Sequence, residues 1–167
     1  MNKYVPHVYV IPEDDANRQI ANGFVLHHRV DSRRIQVMPE AGGWNNVLRT
    51  FRAEYVNILQ SWPKAHVAML IDFDGRSDLR RAEFEQATPD ALRARVFVVG
   101  SKQNPEVLKK ALGKHCEQIG ESLADDCDSG TKTLWGHEEL NHNNADLQRM
   151  VQTVKPFLFY GNSHSLA

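Results

Sequence analysis

The most informative segment of this chain is Val67-Ala68-Met69-Leu70-Ile71-Asp72-Phe73-Asp74-Gly75, in which a continuous apolar run leads directly into two aspartates. An apolar run without alternation is typical of a strand that is buried on both faces, as in a parallel sheet. Residues two apart in an extended segment point the same way, so Asp72 and Asp74 can present their carboxylates to one ion. The segment therefore predicts a central strand whose carboxyl end is acidic.

Similar apolar runs and helical periodicities alternate along the rest of the chain. The predicted strands cover residues 7–11, 34–38, 67–71 and 95–99, and the predicted helices cover about 14–24, 44–62, 78–87, 105–124 and 144–154. The segment 125–133 is rich in Asp, Gly, Ser and Thr and predicts an exposed loop. The tail from Gly161 to His164 is expected to fray.

Strands that alternate with helices indicate right-handed crossovers and a mostly parallel sheet. We therefore expect an α/β fold with a four-stranded, mostly parallel sheet, helices on both faces and a helical C-terminal part. Residues 1–167 are predicted to form a single domain with a core over about 7–112 and a helical extension over about 113–160. The boundary between core and extension follows the last predicted strand and the helix after it.

The composition narrows the class of protein without naming a function. The 167 residues carry a formal net charge of −1, which argues against a non-specific nucleic-acid coat protein, because such proteins need a cationic surplus. The two cysteines are too few for a disulfide framework, so a reducing cytoplasm is the predicted location. No apolar run approaches the roughly 18 residues of a membrane span, and no membrane association is expected.

Acidic residues follow two of the predicted strands. Glu13-Asp14-Asp15 comes after the first strand, and Asp72-Phe73-Asp74 comes after the third. If these strands are neighbours, the carboxylates converge at one edge, where their repulsion favours a bound cation. Oxygen ligands of this kind select Mg²⁺, Mn²⁺ or Ca²⁺ over zinc. Asp14 or Asp15 is more simply explained as the N-cap of the next helix.

A glutamate after the first strand together with D-x-D after the third resembles the Toprim domain of topoisomerases, primases and small nucleases, a Toprim/Rossmann-like fold. The resemblance covers about residues 7–112, and the Gly42-Gly43-Trp44 turn is similar to a turn of stand-alone Toprim-like proteins. It implies that Asp72 and Asp74 bind Mg²⁺ (or Mn²⁺), that Glu13 shares the metal or does general acid–base work, and that nucleic-acid phosphodiester bonds are the substrate. It further implies a protein partner such as an ATPase.

Two alternatives remain open at this point. The first is a non-catalytic Toprim-like module whose acidic edge only binds an ion or a partner protein. The second is a response-regulator receiver, in which Asp14 and Asp15 would bind Mg²⁺, Asp72 would accept phosphate, and Ser101 and Lys155 would complete the site. The spacing disfavours the receiver, because the third strand comes late and Lys155 follows a helix.

Several other polar residues have both a functional and an ordinary interpretation. Lys102, just past the fourth strand, could stabilise a phosphoryl transition state as a catalytic residue or could be a solvated loop residue. Three arginines after the D-x-D could contact a phosphate backbone or form a solvated helix face: Arg76, Arg80 and Arg81. The pair His137 and His142 lacks the spacing of a zinc motif, and residues 142–144 are expected to cap the last helix.

Overall fold

Four parallel strands form one sheet in the order β2-β1-β3-β4. Their bounds are His7–Pro12 for β1, Ile35–Val37 for β2, Ala65–Leu70 for β3 and Val96–Val99 for β4. This computed structural model describes residues 1–161, so most of the tail predicted to fray lies outside the described residues. The sheet confirms the predicted α/β fold, and β1 and β3 are neighbours as the site hypothesis requires.

Helices connect the strands and cover both faces of the sheet. They are α1 (Asp15–Val25), α2 (Trp44–Thr50), α3 (Val56–Ser61), α4 (Ser77–Ala87), α5 (Pro105–Leu112), α6 (Cys116–Ser129), α7 (Asn144–Thr153) and α8 (Lys155–Leu158). The predicted helix 44–62 is therefore interrupted, because a π-helical turn at Phe51–Tyr55 joins α2 to α3. Short 3₁₀ segments precede β4 and α7.

The two faces of the sheet are packed by different helices because strand residues alternate between them. Tyr9, Ile11 and Met69 face a core that α2, α3 and α4 close with residues such as Leu59 and Phe84. On the opposite face, the core residues of the sheet pack against α1 and the C-terminal helices, with apolar residues from α6, α7 and α8. The C-terminal part is therefore helical, as predicted, and together with α1 it covers this face of the sheet.

Two glycines allow α1 and α6 to pack with their backbones in contact. A Cβ atom on Gly120 would lie 1.9 Å from the carbonyl oxygen of Ile20, and one on Gly23 would lie 2.0 Å from that of Glu117. Neither position can accept a larger residue without separating the helices. The close contact fixes α1, which begins at the candidate site, against the C-terminal half of the chain.

The predicted exposed loop at 125–133 is wrong over its first half. Helix α6 continues to Ser129, and the side chain of Asp126 is buried. Its carboxylate accepts hydrogen bonds from the backbone N–H groups of Leu134 and Trp135 and from the Thr131 hydroxyl. Asp126 is polar because its buried carboxylate binds the backbone of the following turn. In the sequence, such a residue looks the same as a residue of a solvated loop.

Polar side chains occupy the open edge of β4, where a further strand would otherwise pair. Asp146 accepts a hydrogen bond from the N–H of Val98, and Arg81 donates to the carbonyl of the same residue. Asn143 both accepts from the N–H of Gly100 and donates to its carbonyl. Arg81 also forms an ion pair with Asp146 at 3.0 Å, and Arg81, Asn143 and Asp146 together form a clasp on this edge. These contacts satisfy an edge that would otherwise invite pairing with another chain.

None of the helices in residues 1–161 is long and apolar enough to cross a membrane.

Candidate functional site

The parallel register brings the acidic ends of β1 and β3 together. Pro12 pairs with Leu70 at the end of the ladder, and the N–H of Glu13 donates to the carbonyl of Leu70. Two residues after Leu70, the N–H of Asp72 donates to Oε2 of Glu13 at 2.7 Å. Two of the predicted site residues are thus in direct contact at the carboxyl edge of the sheet, where ligands bind in open α/β folds.

Glu13 also organises the glycine turn that leads into α2. Its backbone carbonyl accepts hydrogen bonds from the N–H groups of Gly42 at 2.8 Å and Gly43 at 3.2 Å. Its carboxylate accepts from the N–H of Trp44 as well as from Asp72, yet burial and the neighbouring acids still raise its pKa above the ordinary value. Glu13 therefore holds the glycine turn and the end of β3 together, and its carboxylate still binds a proton more tightly than an ordinary glutamate.

Asp72 is the most perturbed carboxyl group at this edge. Its side chain is buried, with 9% of the residue exposed, and its pKa is raised to about 7. The main cause is burial, and the negative charges of Asp14, Glu13 and Asp74 add to it. A hydrogen bond from Asn17 acts in the opposite direction, so Asp72 is a carboxylate with one amide partner and three acidic neighbours.

The N-cap interpretation is confirmed for Asp14. Its Oδ1 accepts a hydrogen bond from the N–H of Asn17 at 2.9 Å, which is the geometry of a capping aspartate. Asp15 is instead the first residue of α1 and pairs with Arg18 on the solvent side. Asp14 therefore has a structural role even though its charge reaches Glu13 and Asp72.

Asn17 is the site residue that the sequence analysis missed. It is 1% exposed, and its Nδ2 donates to Oδ1 of Asp14 at 3.0 Å and to Oδ1 of Asp72 at 2.9 Å. In the sequence it is one of several polar residues in the first turns of a helix. A signal was available only in its spacing, because it lies one turn after Asp14 and hence on the side of the helix that faces the strand ends.

Asp74 lies differently from what an extended D-x-D segment predicts. β3 ends at Leu70, and Asp74 adopts a positive φ of 50°, the one residue other than glycine to do so within residues 1–161. Its side chain is exposed, whereas that of Asp72 is buried. The strict alternation of an extended chain therefore does not hold at Asp74, because the backbone turns there.

Lys102 lies beside this turn. Its carbonyl accepts a hydrogen bond from the N–H of Gly75 at 2.8 Å, and its own N–H donates to the carbonyl of Glu139. The side chain is exposed, and its ammonium forms no ion pair with any residue from 1 to 161. The carboxylate of Glu139, which is buried, accepts from the N–H of Gln103 and so fixes the loop that carries Lys102.

No cationic side chain of residues 1–161 pairs with the acids of this edge. The ion pairs of the described chain leave out all four carboxylates: Glu13, Asp14, Asp72 and Asp74. Within the same residues, no three His, Cys, Asp or Glu side chains are grouped so that they could hold a metal ion. The donor set fits an open oxygen site, since Mg²⁺ is usually held by one or two carboxylates and several waters. It does not fit a closed protein cage.

The arginines after the D-x-D do not form one solvated face. Arg80 is buried, with its guanidinium 3.5 Å from the centre of the Trp44 ring and paired with Glu83. Arg81 belongs to the clasp at the β4 edge, and burial lowers its pKa. Of these three arginines, Arg76 alone is exposed. Arg80 and Arg81 are thus held inside the fold, and both earlier interpretations are wrong for them.

His142 and Lys155, which the sequence offered as alternative site residues, make contacts away from the acidic edge. His142 contacts the carbonyl of Gly100 at 2.9 Å and Arg81 at 3.2 Å, so it is part of the structure at the β4 edge. Asn143 occupies the N-cap position of α7, but its side chain bonds to Gly100 instead of capping the helix. Lys155 contacts the carbonyl of Asp128 near the end of α6. Asp14 lies near the opposite end of this helix, at Cys116, so Lys155 is remote from the acids of the receiver hypothesis.

Comparison of the chain with protein-family models, with curated proteins and with solved structures finds no match. The candidate site therefore rests on the geometry of its own residues.

Proposed function

We propose that this chain is a Toprim-like protein that binds Mg²⁺ or Mn²⁺ at the carboxyl edge of its sheet and acts on nucleic-acid phosphodiester bonds. The observation that carries the proposal is the environment of Asp72. A buried carboxylate surrounded by three acids, with a pKa of about 7 and no cationic partner among residues 1–161, is a site where a cation lowers the free energy.

The residues that would hold the ion are Asp72 and, with it, Glu13 or Asp74. The chemistry that such an ion supplies when bound is polarisation of a phosphoryl oxygen and neutralisation of the charge developing on it. Glu13 has a raised pKa and can accept a proton from an attacking water. Lys102, exposed beside the same turn, can place its ammonium against a phosphate.

The substrate class, a cytoplasmic location and a protein partner such as an ATPase are the parts of the proposal that depend most on the Toprim resemblance. A nucleic-acid substrate is consistent with an acidic edge that has exposed cations beside it, since Lys102 and Arg76 both lie near the D-x-D turn. Their charges would contact the phosphate backbone and not the bases, which predicts cleavage with little sequence preference.

A second candidate is a non-catalytic module that binds an ion or a partner protein. The engagement of the Glu13 carboxylate by two backbone N–H groups favours it, because a brace of this kind leaves less freedom for acid–base work. The lack, within residues 1–161, of three grouped metal-ligating side chains favours the form of this module that binds a partner protein.

Cleavage assays on single-stranded and duplex DNA and RNA with Mn²⁺ or Mg²⁺ separate the two candidates. The enzyme hypothesis predicts metal-dependent cleavage that is lost in Asp72→Asn and retained in Glu121→Gln, a matched change at an exposed carboxylate of α6. Metal binding by calorimetry without cleavage of any of these substrates would support the non-catalytic module. Cleavage that survives Asp72→Asn would show that another site is responsible.

A further inference from the structure

An apolar cavity lies between the sheet and the C-terminal helices, on the face opposite α2, α3 and α4. Its volume is about 90 Å³, and every residue of the described chain that lines it is apolar. The sheet side of the cavity is formed where Val10 pairs with Ala68 and where Leu70 pairs with Val99. Residues of α1, α6, α7 and α8 form its other walls, together with Trp135.

The side chains around this cavity are incompletely covered. Leu70 belongs to a strand with a neighbour on each side, yet it is only partly buried. Phe24, Trp135 and Met150, which line the cavity from the helical side, are also only partly buried. Apolar residues in the middle of a close-packed interior are normally covered on all sides. The helices therefore leave space above the centre of the sheet.

A second cavity of about 50 Å³ adjoins the first one on the side of α7. The two cavities share five lining residues: Phe24, Trp135, Met150, Val154 and Leu158. The smaller cavity is also lined by Val151, which is 42% exposed. Because Met150 lines both cavities and has an unbranched, flexible side chain, a change of its rotamer can join them and connect the larger one to the surface.

The lining determines which kind of molecule fits this space. A buried water needs two to four polar partners, whereas a cavity lined by apolar side chains stays dry. Together the two cavities approach the about 150 Å³ of an engineered apolar cavity that binds benzene. An apolar molecule would make the dispersion contacts that the lining atoms lack on one side.

We propose that this cavity is a binding site for a small apolar ligand, an alkyl or aryl group of about six carbon atoms, held between the sheet and the C-terminal helices. The site lies on a face of the sheet, away from the carboxylates at its edge. It goes beyond the proposed function and does not depend on a bound metal ion.

The test is methyl-detected NMR of the full chain, titrated separately with benzene and with hexan-1-ol. Methyl signals of Val10, Ala68 and Val99 are expected to shift and to reach saturation, because these residues line the cavity. Signals of Val47 and Leu59 are expected to stay in place, since these residues belong to the core on the opposite face of the sheet.

The matched variants are Ala68→Leu, which fills the cavity from β3, and Ala82→Leu, the same change on the exposed side of α4. Binding of both compounds is expected to weaken about tenfold or more in Ala68→Leu, because the larger side chain takes their place, and to stay unchanged in Ala82→Leu. If Ala68→Leu does not fold, Ala68→Val tests the same loss.

Three results would overturn the proposal. The first is the absence of saturable shifts with both compounds in the wild-type chain, which would make the cavity a packing defect only. The second is shifts of equal size in the two cores, which would indicate a general solvent effect. The third is binding in the Ala68 variant that equals binding in the wild type.

Discussion

Replacement of Asp72 by Asn should stabilise the protein at neutral and alkaline pH when no divalent ion is present. Burial and three acidic neighbours raise the pKa of Asp72 from an ordinary 3.8 to about 7. The native state therefore binds more protons than the unfolded chain between these values, and stability falls as the pH rises through them. An asparagine removes the charge, and its carboxamide oxygen can still accept the hydrogen bond of Asn17.

The size of the effect follows from the two pKa values. One pKa unit is worth about 1.4 kcal/mol, so the gap from 3.8 to about 7 sets an upper limit of about 4 kcal/mol. Water near the strand ends and relaxation of the neighbouring acids reduce this, and we expect a gain of about 2 kcal/mol at about pH 8. At about pH 4 the difference should fall to about 0.5 kcal/mol or less, because Asp72 is then protonated in the fold and about half protonated in the unfolded chain.

Urea unfolding in the presence of a chelator measures this directly. The wild-type chain, Asp72→Asn and the control Glu121→Gln would be compared at about pH 4 and about pH 8. The control should follow the wild type at both pH values. The reasoning would be refuted if Asp72→Asn were less stable than the wild type at about pH 8, or if its gain in unfolding free energy were the same at both pH values. Either result would show that the charge of Asp72 does not destabilise the fold.

Three further outcomes are expected. Gly120→Ala should destabilise the fold by about 3 kcal/mol or more in urea unfolding, because the new Cβ would lie 1.9 Å from the carbonyl oxygen of Ile20. Asp146→Ala should lose about 2–3 kcal/mol by the same measurement, since it leaves Arg81 half-buried without its ion pair; a loss below about 0.5 kcal/mol would contradict the clasp. Lys102→Ala should leave stability within about 0.5 kcal/mol of the wild type and lower metal-dependent cleavage about 100-fold. Unchanged cleavage would remove Lys102 from the site.

The sheet could be predicted because its strands carry unambiguous patterns. The run ending at Ile71 is short and has no polar residue, which is typical of a strand covered on both faces, and the crossover rules then predicted a parallel sheet. The convergence of Glu13 and Asp72 followed from strand adjacency alone. The capping role of Asp14 followed from local chemistry, which depends on residues three apart and is visible in a sequence.

The errors occurred where a polar residue acts through distant partners. Asp126 organises the turn at Leu134 from inside the fold, and Arg81 crosses the chain to reach Asp146. Both look solvated in the sequence, because burial of a charge depends on a partner that lies far away along the chain. Asn17 was missed for the same reason, since its bond to Asp72 spans 55 residues. The turn at Asp74 shows that strand alternation cannot be extended past the last ladder pair.

A crystal grown with Mn²⁺ at millimolar concentration, with anomalous scattering recorded to locate the ion, would show whether Asp72 binds metal. We expect an ion bonded to Oδ2 of Asp72, with waters completing its coordination and Oδ1 still accepting the hydrogen bond from Asn17. A crystal that shows no ion at this edge, or ions only elsewhere on the surface, would contradict the claim that these carboxylates form a metal site.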